Sequence, residues 1–271
     1  MKKIVLIAAV FLSVLACKKT PFTNRSQLNF MGNNTIFPQS FAAYNQFLIS
    51  HEIAKDASKQ AMVERVGQRI AASAQRYFEA NDMKDYLKDY KWEYKLVKDD
   101  QVNAFCMPGG KIVVYTGILP ITQTEEGLAV VMGHEVAHAL LNHGAERMSM
   151  GTVQQIGQVG VALATANKTP KQQQMWMTAY GLGSQIGVML PFSRRDESEA
   201  DEVGLRIMAI AGYNPDAGAE LWKRMKAKSG GQAPPEMLST HPSNDTRIQK
   251  LAAYAPKAKE EAKQYGIYFD K

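Results

Sequence analysis

The spacing of hydrophobic and polar positions predicts a mainly helical chain with one short strand-rich segment. From Phe41 to about Met83 the apolar residues recur at helical spacing, as in one or two amphipathic helices. Between residues 92 and 116 they alternate in short runs, which predicts one strand followed by two strands joined at a Pro-Gly-Gly turn. Helical spacing then returns and continues, with interruptions, to about Tyr265. We therefore expect an α+β fold in which helices surround a small sheet.

Capping signals predict where helices begin and end in the second half of the chain. Thr122 and Glu125 have the spacing of a capping box, so a long helix should begin there. Ser193 is expected to cap a further helix that ends before Gly212, because glycine commonly follows a helix C-terminus. Residues 229–244 are expected to form a loop.

The N-terminus has the arrangement of a secretory signal. Two lysines precede an apolar run, Ile4 to Ala16, that is too short to span a membrane comfortably. The residues ahead of Cys17 resemble a bacterial lipobox, which implies cleavage before Cys17 and a lipid on its side chain. An ordinary signal peptide with an incidental cysteine is the alternative. The chain is thus expected to have three parts in order, a signal peptide (1–16), a polar lipid-anchored tether (17–40) and one folded domain (41–271).

Charge and cysteine content narrow the function classes. The formal net charge is +6, from 32 Lys+Arg against 26 Asp+Glu, and the lysines and arginines form no dense cluster. This pattern argues against nucleic acid as a partner. Two cysteines are too few for a disulfide scaffold, and Cys106 is expected to be a small buried apolar residue rather than a nucleophile.

The strongest chemical signal is the segment His134-Glu135-Val136-Ala137-His138, an H-E-x-x-H motif. Positions i and i+4 lie on one face of a helix, so both imidazoles can reach one metal ion. Zinc accepts neutral histidine nitrogen, and Glu135 is placed to exchange protons with water that the ion activates. The next histidine, His143, falls off this face and is expected to be a structural or surface residue rather than a ligand. We therefore expect one zinc ion per chain.

A third ligand must come from elsewhere, and the acidic segment after Ser193 is the best source. Glu197 and Asp201 are four residues apart and share a helical face, so one could bind zinc while the other orients a ligating histidine. A solvated acidic helix start, favoured by the helix dipole, would have the same composition. Spacing alone does not choose between Glu197 and Glu199.

Taken together, these segments resemble the family of zinc metallopeptidases that contains the CAAX prenyl endopeptidase, HtpX, mitochondrial Oma and the periplasmic protease BepA. The resemblance covers roughly residues 45 to 255, and four motifs occur in the family's order. They are Asn103-Ala104-Phe105 with Pro108-Gly109-Gly110, the H-E-x-x-H motif, Ser193-Arg194 with Glu197-x-x-Ala200-Asp201 and Gly204, and Ser239-Thr240-His241-Pro242 with Arg247. The resemblance implies a gluzincin-type domain with a small sheet packed on the motif helix.

The resemblance also assigns roles to individual residues. It implies that Glu197 is the zinc-binding carboxylate and that Asp201 supports a ligating histidine. It places Arg247 near the metal, where a guanidinium could stabilise an oxyanion. By the same resemblance His241 could occupy the open position on zinc and hold the enzyme latent. The segment Asn103-Ala104-Phe105 would lie near a sheet edge that binds substrate as an added strand.

The function implied is that of a zinc-dependent metalloendopeptidase of the bacterial cell envelope that degrades misfolded or misassembled proteins. Its partners would be those unfolded substrates and a membrane that is reached through the N-terminal lipid alone, with the outer membrane favoured over the inner. Two alternatives stay open at this point. The same fold could serve as an envelope chaperone or adaptor, although Glu135 has no use there, or as another zinc hydrolase such as an amidase.

Overall fold

The structure is a computed structural model that describes residues 17–228, Met237, His241 and residues 245–269. The predicted signal peptide lies outside the described residues, as do Ser239, Thr240 and Pro242 of the last motif. The elements in chain order are β1 (Cys17–Lys19), β2 (Ser26–Leu28), α1 (Asn33–Ser50), α2 (Ala57–Ala80), β3 (Glu93–Val97), β4 (Ala104–Met107), β5 (Lys111–Tyr115), a 3₁₀ turn (Thr116–Ile118), α3 (Leu119–Thr122), α4 (Glu125–Leu140), α5 (His143–Ala164), α6 (Pro170–Ser184), a π-helical turn (Gln185–Met189), α7 (Leu190–Ile210), α8 (Ala217–Lys228) and α9 (Asp245–Lys263).

These elements form two compact units. One unit contains the β1–β2 strands and the segment Asn142–Glu197, which includes helices α5 and α6. The other contains Asn33–Leu141 and the chain from Ser198 onward, which includes the sheet and most helices. The boundary falls inside α7, so this helix begins in the first unit and continues into the second. The mainly helical α+β prediction is confirmed.

Residues 17–40 differ from the expected polar tether. β1 and β2 pair antiparallel, with Cys17 opposite Leu28, and helix α1 begins at Asn33 rather than near residue 41. The turn between the strands is closed by hydrogen bonds of its own polar groups, including Thr20 N to Arg25 O at 2.8 Å. Local hydrogen bonding of this kind lets a polar segment fold without a large apolar content, which composition alone did not indicate.

The three-stranded sheet follows the sequence prediction. β5 lies in the middle, parallel to β3 and antiparallel to β4, and Ala104 pairs with Val114. Gly109 and Gly110 adopt φ values of 85° and 90°, which other residues rarely accept, and they close the turn between β4 and β5. Because β5 lies between β3 and β4, β4 is an edge strand. It packs against α4, the helix that carries the H-E-x-x-H motif.

Helix α4 is buried on nearly all sides, and its two ends are fixed by side chains. Thr124, rather than the expected Thr122, caps the N-terminus, because its hydroxyl accepts from Gly127 N while Thr122 ends the short helix α3. At the other end, Tyr86 and Tyr90 donate hydroxyl hydrogen bonds to the carbonyls of Leu140 and Ala139. These contacts satisfy groups that a helix terminus leaves open and fix the motif helix in place.

Helix α7 begins earlier than expected. It starts at Leu190, so Ser193 is an interior residue and not the predicted cap. The preceding π-helical turn, Gln185–Met189, continues the helical backbone into α7 without a break that would need a cap. The helix ends at Ile210, ahead of Gly212, as predicted.

Candidate metal centre

Three imidazoles converge beside helix α4. His134 and His138 lie one turn apart on this helix, and their Nε2 atoms are 3.1 Å from each other. His241 comes from the segment before α9, and its Nδ1 lies 3.1 Å from Nε2 of His134. The nitrogens of all three rings lie within 4.8 Å of one another. The structure thus brings the two motif histidines together, and with them His241, which the family resemblance placed at the open position on the metal.

The donor set of this cluster fits a metal ion. Nδ1 of His134 lies 3.0 Å from Oδ1 of Asp201, and a carboxylate in that position accepts a hydrogen bond from Nδ1–H and so keeps the proton on Nδ1. Nε2 of His134 then carries a lone pair, and it faces the ring nitrogens of His138 and His241. Nitrogen lone pairs that point at one another in a buried site are stabilised by a shared cation, and imidazole suits zinc among the divalent metals.

Asp201 is held in turn by Arg247. The guanidinium donates from Nε to Oδ2 at 2.8 Å and from Nη2 to Oδ1 at 2.7 Å. Burial opposes ionisation of the Asp201 carboxyl, but the Arg247 charge and the His134 hydrogen bond outweigh it and hold its pKa below the usual value. Asp201 is therefore a carboxylate, and the predicted contact between Asp201 and a motif histidine is present in the structure.

The position of Arg247 differs from the expected oxyanion role. Its side chain is only 7% exposed, it is paired bidentately with Asp201, and its guanidinium stacks 3.6 Å from the centre of the Trp222 ring. A bidentate pair fixes the orientation of both groups, so Arg247 is placed to position Asp201. Trp222 has no signal of its own in the sequence, because a tryptophan within the helical pattern of α8 has no spacing that distinguishes it from other core residues.

A close helix crossing brings Asp201 within reach of His134. Gly133 on α4 and Gly204 on α7 face each other, and a Cβ atom on Gly204 would lie 2.9 Å from the backbone nitrogen of His134. Real Cβ atoms do not approach backbone so closely, so both positions need glycine. Gly204 belongs to the quoted family motif, and its role is to permit this approach.

Glu197 is the last residue of the first unit, and the unbroken helix α7 joins it to Asp201 one turn further on. It is buried, with 8% exposure, and it belongs with His134, His138 and His241 to the side chains that could together hold a metal ion. Glu199, two residues along, is not a member of that group. Glu197 thus fits the carboxylate position that the family resemblance gave it.

Glu135 and Cys106 lie next to the imidazole cluster. The Glu135 side chain is 6% exposed, and its Oε1 lies 3.5 Å from Nε2 of His241. Burial, reinforced by the Glu135 charge, raises the pKa of the Cys106 thiol well above its usual value. Cys106 is therefore protonated and unsuited as a nucleophile, as expected, although its side chain is half-buried rather than buried. Glu135 is the carboxylate beside the imidazole cluster.

The three predicted substrate-binding residues, Asn103, Ala104 and Phe105, have different orientations at the edge strand β4. Asn103 O accepts from Tyr115 N at 3.1 Å, so the backbone of Asn103 faces the sheet, and the alternation of an antiparallel ladder turns the Ala104 backbone outward. The side chain of Phe105 packs edge-to-face on Phe47 with ring centres 5.2 Å apart. Phe105 thus packs against the core. The outward N–H of Ala104 donates to Asn103 Oδ1 at 2.9 Å, so the other outward backbone position of β4 is Cys106.

His241 is attached to the start of this same edge. His241 N donates to Met237 O at 2.7 Å, and Met237 N donates to Val102 O at 3.2 Å, just before β4. Met237 and His241 therefore connect the strand edge with the imidazole cluster through backbone hydrogen bonds. By contrast His143, off the motif face as expected, is fully buried at the start of α5 and lies 3.9 Å from Asp196.

Comparison with known proteins agrees with this geometry. The sequence profile of Peptidase family M48 matches residues 57–255, so the chain belongs to this family. It is 36% identical to the mitochondrial metalloendopeptidase OMA1 of Schizosaccharomyces pombe over 186 residues, which are 68% of this chain and 52% of that protein. It is 30% identical to the beta-barrel assembly-enhancing protease of Yersinia pestis over 162 residues, which are 58% of this chain and 33% of that protein.

The match to human OMA1 is longer, at 27% identity over 246 residues, or 88% of this chain and 46% of that protein. The chain spans about half the length of the OMA1 proteins that it matches. Membership of the family, with relatives that are named as metalloendopeptidases, confirms the suspected family and the metalloprotease class. Among the described residues, none of the helices has the length and apolar character that a membrane span requires.

Proposed function

We propose that this chain is a zinc-dependent endopeptidase that cleaves unfolded proteins. The observation that carries the proposal is the convergence of His134, His138 and His241 beside the buried carboxylate of Glu135. His134, His138 and Glu197 would hold one ion, and Asp201 would fix the His134 tautomer. When bound, zinc would supply Lewis acidity toward water and the scissile carbonyl.

The protein groups supply the remaining chemistry. Glu135 accepts a proton from the attacking water and donates it to the leaving amine, which is the work of a general base and then a general acid. The outward backbone groups of β4 align the peptide as an added antiparallel strand. Arg247 acts indirectly, because it pairs with the Asp201 carboxylate and that carboxylate orients the His134 ring. Its effect on turnover is therefore that of a positioning residue.

We further propose that the substrates are misfolded or misassembled proteins of the bacterial cell envelope. Support comes from the N-terminal signal pattern and from the similarity to a relative that is named for beta-barrel assembly. Incubating the zinc-loaded full chain with an unfolded, strand-rich outer-membrane protein should yield discrete fragments, and a chelator should suppress them. Intact substrate under both conditions would contradict the proposal, and cleavage of small amides alone would favour an amidase.

The predicted lipid anchor depends on Cys17, whose side chain lies outside those described. Labelled fatty acid supplied to cells is expected to enter the wild-type chain and not Cys17→Ala, because the thiol is the attachment atom. Cys106→Ala is the matched control and should be labelled like the wild type. Equal labelling of wild type and Cys17→Ala would show that the lipid is attached elsewhere, and labelling of neither would leave a secreted protein without a lipid.

His241 is expected to act as a gate. Its ring meets the other imidazoles, and its turn hydrogen-bonds to Val102 at the strand edge, so both the metal position and the peptide path would open together. We expect His241→Ala to bind zinc more weakly and, at saturating zinc, to cleave unfolded substrate faster than the wild type. The alternative role, transition-state binding, has the opposite sign, so a clear loss of turnover in His241→Ala would reject the gate.

A further inference from the structure

Helices α5 and α6 form an antiparallel pair whose exposed side chains are unusually apolar. We call residues 143–184 the α5–α6 hairpin. Its largest apolar side chains lie in water-accessible positions, with Leu163 73% exposed and Trp176 52% exposed. None of the side chains of α6 is buried in the described structure. The other exposed large apolar residues of the hairpin are Met148, Val153, Ile156, Val159, Met175 and Leu182.

Hydrogen bonds join the two helices. Gln154 Nε2 donates to Ser184 Oγ at 2.8 Å, and the Tyr180 hydroxyl donates to the backbone carbonyl of Gln154 at 3.1 Å. Near the tip, Gln173 Nε2 donates to Thr165 O at 3.0 Å. A hairpin folded for water buries apolar side chains between its helices and exposes polar ones. Helices that pack in lipid instead use polar hydrogen bonds and small residues between them, and the α5–α6 hairpin follows that arrangement.

From residue 148 onward, the charged residues of the hairpin are all positive. Residues 148–193 contain no aspartate or glutamate, and their two charged residues are Lys168 and Lys171. Lys168 lies in the connection between the helices and Lys171 in the first turn of α6, and both are exposed at the tip. The other exposed positions between residues 148 and 184 are uncharged, mostly alanine, glutamine and threonine, and the exposed Arg147 near the start of α5 is also basic. An apolar surface with two lysines and no carboxylate complements an anionic headgroup layer.

We propose that the α5–α6 hairpin docks on a lipid bilayer that carries anionic headgroups. Its outward apolar side chains, including Trp176, enter the upper acyl region, and Lys168 and Lys171 contact the headgroup phosphates. This contact is interfacial, in keeping with the absence of a spanning helix among the described residues. It adds a second membrane contact and so departs from the expectation that the N-terminal lipid alone reaches the membrane. It does not depend on the peptidase proposal.

Bromolipid quenching of tryptophan tests the contact locally. The full chain is mixed with phosphatidylglycerol–phosphatidylcholine vesicles whose acyl chains are brominated, and its fluorescence is compared with that in unbrominated vesicles. Because quenching needs near contact, it reports whether Trp176 reaches the acyl region whatever else holds the chain to the vesicle. Trp176→Phe assigns the signal, since Trp222 is buried and Trp92 is half-buried. Circular dichroism of each variant confirms that it is folded.

The expected result is quenching of the wild type and its loss in Trp176→Phe. The triple variant Ile156→Gln, Leu163→Gln, Leu182→Gln should also lose it, whereas Ile49→Gln, 79% exposed in the other unit, should not. Replacing Lys168 and Lys171 with Gln should weaken vesicle partitioning about fivefold per lysine, because each lysine contributes about 1 kcal/mol at an anionic surface. Equal quenching in wild type and triple variant, no quenching at all, or a concentration-dependent dimer that the triple variant abolishes would each overturn the proposal.

Discussion

Glu135→Gln is expected to lower peptide cleavage by about 10²–10⁴-fold without changing the metal content of the protein. The amide is nearly isosteric with the carboxylate, so the buried site keeps its shape, but it cannot accept a proton. Glu135 is not among the side chains that could hold the metal ion, so metal binding should survive its replacement. Single-turnover assays on zinc-loaded enzyme would place the loss in the chemical step rather than in substrate binding.

Glu126→Gln is the matched control for that experiment. Glu126 lies in the first turn of the same helix, so it reports any general effect of removing a carboxylate from α4. Cleavage by Glu126→Gln should stay close to the wild-type rate. If Glu135→Gln cleaved within a factor of a few of the wild type, Glu135 would not be the proton-transfer group, and the mechanism would be wrong.

Asp201→Asn is expected to destabilise the metal-free protein by about 3–5 kcal/mol, because it leaves the Arg247 guanidinium buried without its anionic partner. The same change removes the carboxylate that orients His134, which should weaken metal affinity by about 10–100-fold. Urea unfolding in chelator measures the first effect, and competition with a zinc indicator measures the second. Both losses follow from one side chain that joins the metal site to the core.

Asp216→Asn is the control for Asp201→Asn, because Asp216 is an exposed partner of Lys259 and exposed ion pairs contribute little. Its stability and metal affinity should match the wild type. Arg247→Lys separates charge from geometry, since lysine keeps the charge but cannot form the bidentate pair. Unchanged metal affinity in both Asp201→Asn and Arg247→Lys would contradict the positioning chain from Arg247 through Asp201 to His134.

Local sequence patterns predicted the parts of the fold that local physics determines. The alternation around β3, β4 and β5 and the glycines after Pro108 specified the sheet and its turn, because strand period and positive φ are properties of a few residues. The H-E-x-x-H spacing specified the meeting of His134 and His138 for the same reason. Thr124 shows the limit of this reasoning, since two threonines competed for one cap and only the structure distinguished them.

Residue roles that depend on tertiary contacts could not be predicted from the sequence. Arg247 was expected to face the reacting carbonyl, but its pairing with Asp201 requires that α7 and α9 come together, which no spacing encodes. The exposure of the apolar side chains of the α5–α6 hairpin could not be predicted either, because helical spacing does not show whether an apolar face packs on protein. The choice of Glu197 over Glu199 came from the family resemblance, and helical position supports it.

Metal analysis of purified chains tests the central claim most directly. Elemental analysis of the wild type, dialysed against trace zinc, should give one zinc ion per chain, and His138→Ala should have much less. Glu197→Gln should lower zinc affinity, whereas Glu199→Gln should not, because the metal-binding group contains Glu197 and not Glu199. Full zinc occupancy in His138→Ala would contradict a metal centre at this site, and a reversed pair of carboxylate results would show that the third ligand is Glu199.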